Sequence, residues 1–164
     1  MAPLLKMKDG FSMADFSSDT VFIIRPDKAE IEPFFVRTPP WTQMSSPLYV
    51  YPIFEGGPYI FMEYQITKEE AGRKRLEFAR LVYDRSDGET YTPVVVNGDY
   101  EGWTHPLSAY FEQRTIKFGV NTVTLPTIAL IDALEEGKLH GKLKEVASTL
   151  KEDDNPVLMV MTFK

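Results

Sequence analysis

The chain has 164 residues, 43% of them hydrophobic and 13% aromatic, with a formal charge of −6; that length suits one domain with a real core, and the acidic balance argues against a duplex-nucleic-acid module, which selects a basic face. It has no cysteine, which excludes disulfide scaffolds, thiol catalysis and thiolate metal sites and favours a cytoplasmic setting. No segment approaches the roughly 20 apolar residues of a membrane helix, and Met1–Lys6 lacks the apolar run of a signal peptide, so a soluble protein without membrane contact is expected.

Residues 1–19 scatter Leu4, Leu5, Met7, Phe11, Met13 and Phe16 among polar residues, with neither a helical period nor strand alternation. An extended N-terminal arm is expected, one that frays or docks into a neighbouring subunit. The compact apolar runs Val21-Phe22-Ile23-Ile24 and Phe34-Phe35-Val36 read as strands. Between Pro33 and Tyr64 lie six of the chain's twelve prolines and nine of its aromatic residues. Prolines at that density exclude helices and central strands, whereas aromatics favour pleated, half-buried surfaces. Leu48–Phe54 and Tyr59–Ile66 flank Glu55-Gly56-Gly57-Pro58 and predict a hairpin. Trp41, in the loop from Thr38 to Pro47, is either pinned to its own domain or offered to a partner.

Residues 67–84 carry conflicting signals. Thr67-Lys68-Glu69-Glu70 matches a helix capping box, yet Gly72 weakens a helix and Leu76, Phe78 and Val82 fall at the even spacing of a strand. The turn cluster Asp84–Gly88 and the β-branched run ending at Asn97-Gly98 favour a meander, pairing a strand near Arg73–Tyr83 with one near Glu89–Val96. Residues 67–85 are also the one basic stretch, at +2 against −3 before it and −5 after it.

Beyond Asn97 the loop Gly98–Pro106 leads to a short helical or strand piece, Leu107–Arg114. Thr115–Phe118 and Thr122–Leu125 predict another hairpin. A helix follows Pro126 and stops near Gly137, a second amphipathic helix carries Leu139, Leu143, Val146, Ala147 and Leu150, and Val157–Phe163 reads as a strand buried on both faces. The expected fold class is therefore α+β: a mainly antiparallel sheet or partly open barrel over about residues 20–125, then two helices and a C-terminal strand that rejoins the sheet. Residues 20–164 would form one globular domain behind the arm.

The search for chemistry is mostly negative. The two histidines, without cysteine and without an H-E-x-x-H spacing, predict no metal site. Gly137–Leu143 has the wrong spacing for a phosphate loop and Leu143 where a magnesium-binding hydroxyl belongs, so no cofactor is expected. Asp99, Glu101 and His105 beside Trp103 could form an acid–base pair if apolar shielding raised one carboxylate. The same residues also make an ordinary loop anchored by Trp103. A nucleic-acid alternative would stack bases on Tyr49, Tyr51 and Tyr59 and hold the backbone with Arg73, Lys74 and Arg75. The favoured expectation is a non-enzymatic interaction or assembly protein, of the kind found among viral or bacterial accessory, structural or inhibitor subunits. It would contact a protein partner or another copy of itself through Phe11, Met13, Phe16 and Trp41.

Overall fold

The structure, a computed structural model, describes residues 4–15, 17–44, 48–70, 72–104 and 120–162, the side chains of Trp41 and Leu48 excepted. These residues fall into two compact units, the first reaching Pro93 and the second made of Val94–Thr104 and Val120–Thr162. The sequence reading had expected one domain after residue 19. The fold is α+β with antiparallel sheets, and its sheets are open, with no closed barrel.

The first unit holds two four-stranded sheets, each a meander whose strands neighbour one another in chain order. β1 (Leu4–Met7), β2 (Gly10–Ala14), β3 (Thr20–Arg25) and β4 (Glu30–Val36) make the first. The residues expected as an arm are thus two paired strands joined by Lys8 and Asp9, with Leu4 opposite Met13 and Met7 opposite Gly10. Ladder hydrogen bonds and the burial of Met7 and Ala14 hold them down. Gly10 is required where it stands, because its φ is +148° and a Cβ there would lie 2.1 Å from the carbonyl oxygen of Ile24. That close approach fixes the hairpin against β3.

β5 (Leu48–Gly56), β6 (Tyr59–Glu70), β7 (Arg73–Asp84) and β8 (Thr90–Tyr91) form the second sheet. The expected hairpin is present, with Gly56 opposite Tyr59 and Leu48 opposite Ile66 across a Gly57-Pro58 turn in which Gly57 has φ +60°. Pro33 and Pro52 fall on the edge strands β4 and β5, where a missing N–H breaks no ladder, and the register shifts after Val21 and after Pro52. Between Thr38 and Pro39 the peptide is cis, and Trp41–Gln43 forms one 3₁₀ turn.

Over residues 67–84 the strand reading holds and the capping box does not start a helix: Thr67–Glu70 continue β6. The expected pairing with the strand after Asp84–Gly88 is present but short. β7 pairs along its whole length with β6, and with β8 only through Val82–Tyr91 and Tyr83–Thr90. β7 uses one edge for β6 and the other for β8, so the meander continues through the Asp84–Gly88 turn.

The second unit is a two-stranded antiparallel ribbon, β9 (Val120–Leu125) with β10 (Val157–Thr162), and two helices, α1 (Thr127–Glu135) and α2 (Gly141–Ala147). Pro126 caps α1, whose inner face presents Thr127, Leu130 and Ala133. The helix ends as its sequence suggests: Gly137 at φ +73° lets the Gly137 and Lys138 N–H groups reach the carbonyls of Leu134 and Ala133. Val123, Leu125, Leu130, Ala133, Leu139 and Ala147 form the buried core. The C-terminal strand does return to pair with another strand, but it is not buried on both faces. Val157, Met159 and Met161 are half-buried while Leu158 and Val160 are exposed. Of the hairpin expected around Gly119–Asn121, the first arm lies outside the described residues and the second is β9.

Candidate interaction face

The first sheet has two faces, separated by strand alternation and by register. On the inner face stand Leu5 and Met7 of β1, Ser12 and Ala14 of β2, and Val21 and Ile23 of β3. These pack toward the second sheet, where Met7, Ile60 and Met62 form a buried cluster with Leu5, Phe34, Phe35, Val50, Leu81 and Tyr83 against it. Polar stitching reinforces the contact: the backbone N–H of Lys8 donates to Glu55 Oε2 at 2.7 Å. The Glu55 carboxylate, itself buried, is also ion-paired with Arg85. A carboxylate taken from water needs such partners.

The outer face is different. Cross-strand register sets Leu4 beside Met13, Met13 beside Phe22, Phe11 beside Ile24 and Ile24 beside Ile31. All six side chains are apolar. Leu4 is 64% exposed, Phe11 39% and Ile31 63%, and Met13, Phe22 and Ile24 are half-buried. Lys6 is the charged residue among them, opposite Phe11. The outer face is thus a contiguous apolar stretch, polar only at its margin.

Two of the four residues singled out for partner contact, Phe11 and Met13, lie on this face. Phe16 is outside the described residues, and for Trp41 the described part is its backbone in the 3₁₀ turn. Sequence reasoning missed Phe22, Ile24 and Ile31. The signal was available, because Val21-Phe22-Ile23-Ile24 sends apolar side chains to both faces and so requires cover on both.

The nucleic-acid residues do not converge. Tyr51 is buried, and its hydroxyl donates to Glu63, which Arg80 Nη1 holds at 2.7 Å, while Gln65 Nε2 reaches the Tyr51 oxygen at 2.6 Å. Burial first, and then the bond to Glu63, push the Tyr51 hydroxyl above the ordinary tyrosine range. Tyr59 and the end of β6 that pairs with Arg73–Arg75 are about nine residues apart, roughly 30 Å of strand. Arg73 and Lys74 stand directly opposite Glu70 and Glu69, which offset their charge.

The acid–base residues are engaged structurally. The Asp99 carbonyl accepts the His140 N–H at 2.8 Å and Asp99 Oδ2 accepts the Leu143 N–H at 3.3 Å, so this carboxylate caps α2. Glu101 is exposed, and its backbone N–H donates to the Lys138 carbonyl at 2.9 Å. Trp103 stacks on Tyr100 with ring centroids 6.5 Å apart, and both pack on the core of the second unit. His105 lies outside the described residues. Among the described residues no group of three acidic or histidine side chains could hold a metal ion, and no helix is long and apolar enough to cross a membrane.

No protein-family profile and no curated protein sequence matches the chain. In fold it is similar to a crystal structure from Bacteroides fragilis described as a "putative exported protein", with a TM-score of 0.53 and 16% identity over 98% of this chain. This chain spans 49% of that one, about half its length. The match corrects the cytoplasmic setting and the viral alternative expected from the sequence, since this neighbour in fold is described as exported and is bacterial. The cytoplasmic expectation rested on a lack of cysteine and of an apolar leader run, and a cysteine-free composition is compatible with export as well.

Proposed function

We propose that the chain is a non-enzymatic assembly subunit whose first sheet packs its outer face against a second copy of the chain. The observation that carries this reading is the exposure of Leu4, Phe11 and Ile31 on one face, where Met13, Phe22 and Ile24 link them across the strands. Architecture supports it. Four-stranded meanders laid one after another along a chain are the unit that β-propellers repeat radially, and such sheets hide their faces by stacking on the next. In the first unit, the first sheet has such a neighbour on its inner face. The Bacteroides neighbour carries about as much chain again beyond the matched part, a length that a second copy would supply. The likeness to an exported protein supports an extracytoplasmic setting for the assembly.

Photocrosslinking tests the reading. With the photoreactive amino acid benzoylphenylalanine replacing Phe11, irradiation of the purified chain should give a covalent adduct of twice the chain mass, and irradiation in the native host should give the same species. An adduct with a different protein would keep the interaction function and remove the second copy. No adduct in either setting would overturn both.

A further inference from the structure

Between β4 of the first sheet and the face of the second sheet that carries Val50, Ile60 and Leu81 lies a cavity of about 780 Å³. Its walls are Phe35, Val50, Ile60, Leu81 and Tyr83, with Arg37 among the lining residues. Volume and lining are those of a small-molecule site, an apolar enclosure with few polar groups. Its position follows from the fold. β1 and β2 lie close to β5, stitched by Lys8 and Glu55, whereas β4 and the β7–β8 end of the second sheet leave the space between them.

Arg37 gives the site its chemistry. Its side chain is nine-tenths buried, and one terminal nitrogen is ion-paired with Asp19. Its Nε is buried with no hydrogen-bond partner among the described residues. A guanidinium stays charged at any ordinary pH and offers its donors in a fixed plane matched to a carboxylate. The second cation at the cavity, Arg85, is committed to the buried Glu55. We infer that this cavity binds a monoanionic amphiphile, a carboxylate with an aliphatic body: the chain fills the apolar enclosure and the carboxylate meets Arg37. A neutral hydrocarbon would fill the same walls and make no use of the charge that Arg37 brings to the lining.

Titration calorimetry with octanoate and with 1-octanol tests this on the intact chain. Octanoate should bind saturably at one site and at least about tenfold tighter than the alcohol, the advantage of a charge-assisted hydrogen bond. Leu81→Trp, and independently Val50→Phe, should intrude into the cavity and weaken octanoate binding while the circular dichroism of the folded chain is kept. Arg37→Gln should remove the preference for acid over alcohol. Equal affinity for the two probes, octanoate binding that neither wall variant weakens, or no saturable binding would overturn the proposal. Because the outer face of the first sheet is untouched by these variants, the result stands apart from the assembly reading.

Discussion

Val21, Phe22, Ile23 and Ile24 follow one another in a single strand, yet Val21 and Ile23 are almost fully buried while Phe22 and Ile24 are only half-buried. The side chains are of one kind on both faces of the first sheet. What separates the faces is a partner: the second sheet presents Val50, Ile60, Met62 and Leu81 to the inner face, and the described residues of the first unit present no such sheet to the outer one. Apolar area removed from water is worth about 25 cal/mol per Å² wherever it occurs. The inner face has already gained that stabilisation from the second sheet, and the outer face has not gained it from the described residues of the first unit.

The sharpest test of this difference is truncation on the inner face. Ile23→Ala should lower stability by about 2–5 kcal/mol, because it deletes buried methyl groups and leaves a cavity between two packed sheets. Urea unfolding with a constant slope and a lower midpoint is the expected record. A loss below about 1 kcal/mol would mean that the inner face is not packed as described, and the contrast between the faces would collapse.

How much of this was readable beforehand differs by region. The Leu48–Ile66 hairpin was legible because Gly56-Gly57-Pro58 states its turn, and α1 because Pro126 and Gly137 mark its ends. β1 and β2 were not legible. β1 is four residues long, Leu4 and Leu5 are adjacent apolar residues that blur alternation, and the Lys8-Asp9 turn lacks the usual Asn-Gly signal. Phe11 and Met13 were singled out from apolar character in a segment expected as an arm, and the structure places them on paired strands instead. β10 shows the converse error: a continuous apolar run suggested cover on both faces, whereas the ribbon covers only Val157, Met159 and Met161. Composition reports that a face is apolar and says nothing of whether its partner lies in the same chain.

The second sheet sharpens the comparison, because its faces differ in chemistry. One carries the apolar residues facing the first sheet; the other carries Tyr51, Glu63, Gln65 and Arg80 in one hydrogen-bonded network. The Tyr51 hydroxyl is raised by burial and by Glu63, so folding favours its protonated form. Below the unfolded tyrosine value of about 10 both states keep this proton and the group adds no pH dependence. Above it the unfolded chain releases the proton while the native chain holds it, and stability falls as pH rises. The urea midpoint of the wild-type chain should therefore drop more steeply above about pH 10 than that of Tyr51→Phe. Parallel curves would remove Tyr51 from the network's energetics.

The smallest effect on stability and the largest on assembly should come from the outer face. Ile31 is 63% exposed on the edge strand β4, so Ile31→Lys removes little buried area, and the unfolding free energy of the monomer should change by less than about 1 kcal/mol. The new charge would be buried without a partner if a second copy covered the face, a cost that falls on the complex alone. Sedimentation equilibrium should then give twice the chain mass for the wild type and the chain mass for Ile31→Lys at the same concentration. A variant that unfolds would place Ile31 in the chain's own core. A variant that assembles like the wild type would show that the outer face is merely tolerated by solvent, and the two faces would then differ in exposure without differing in purpose.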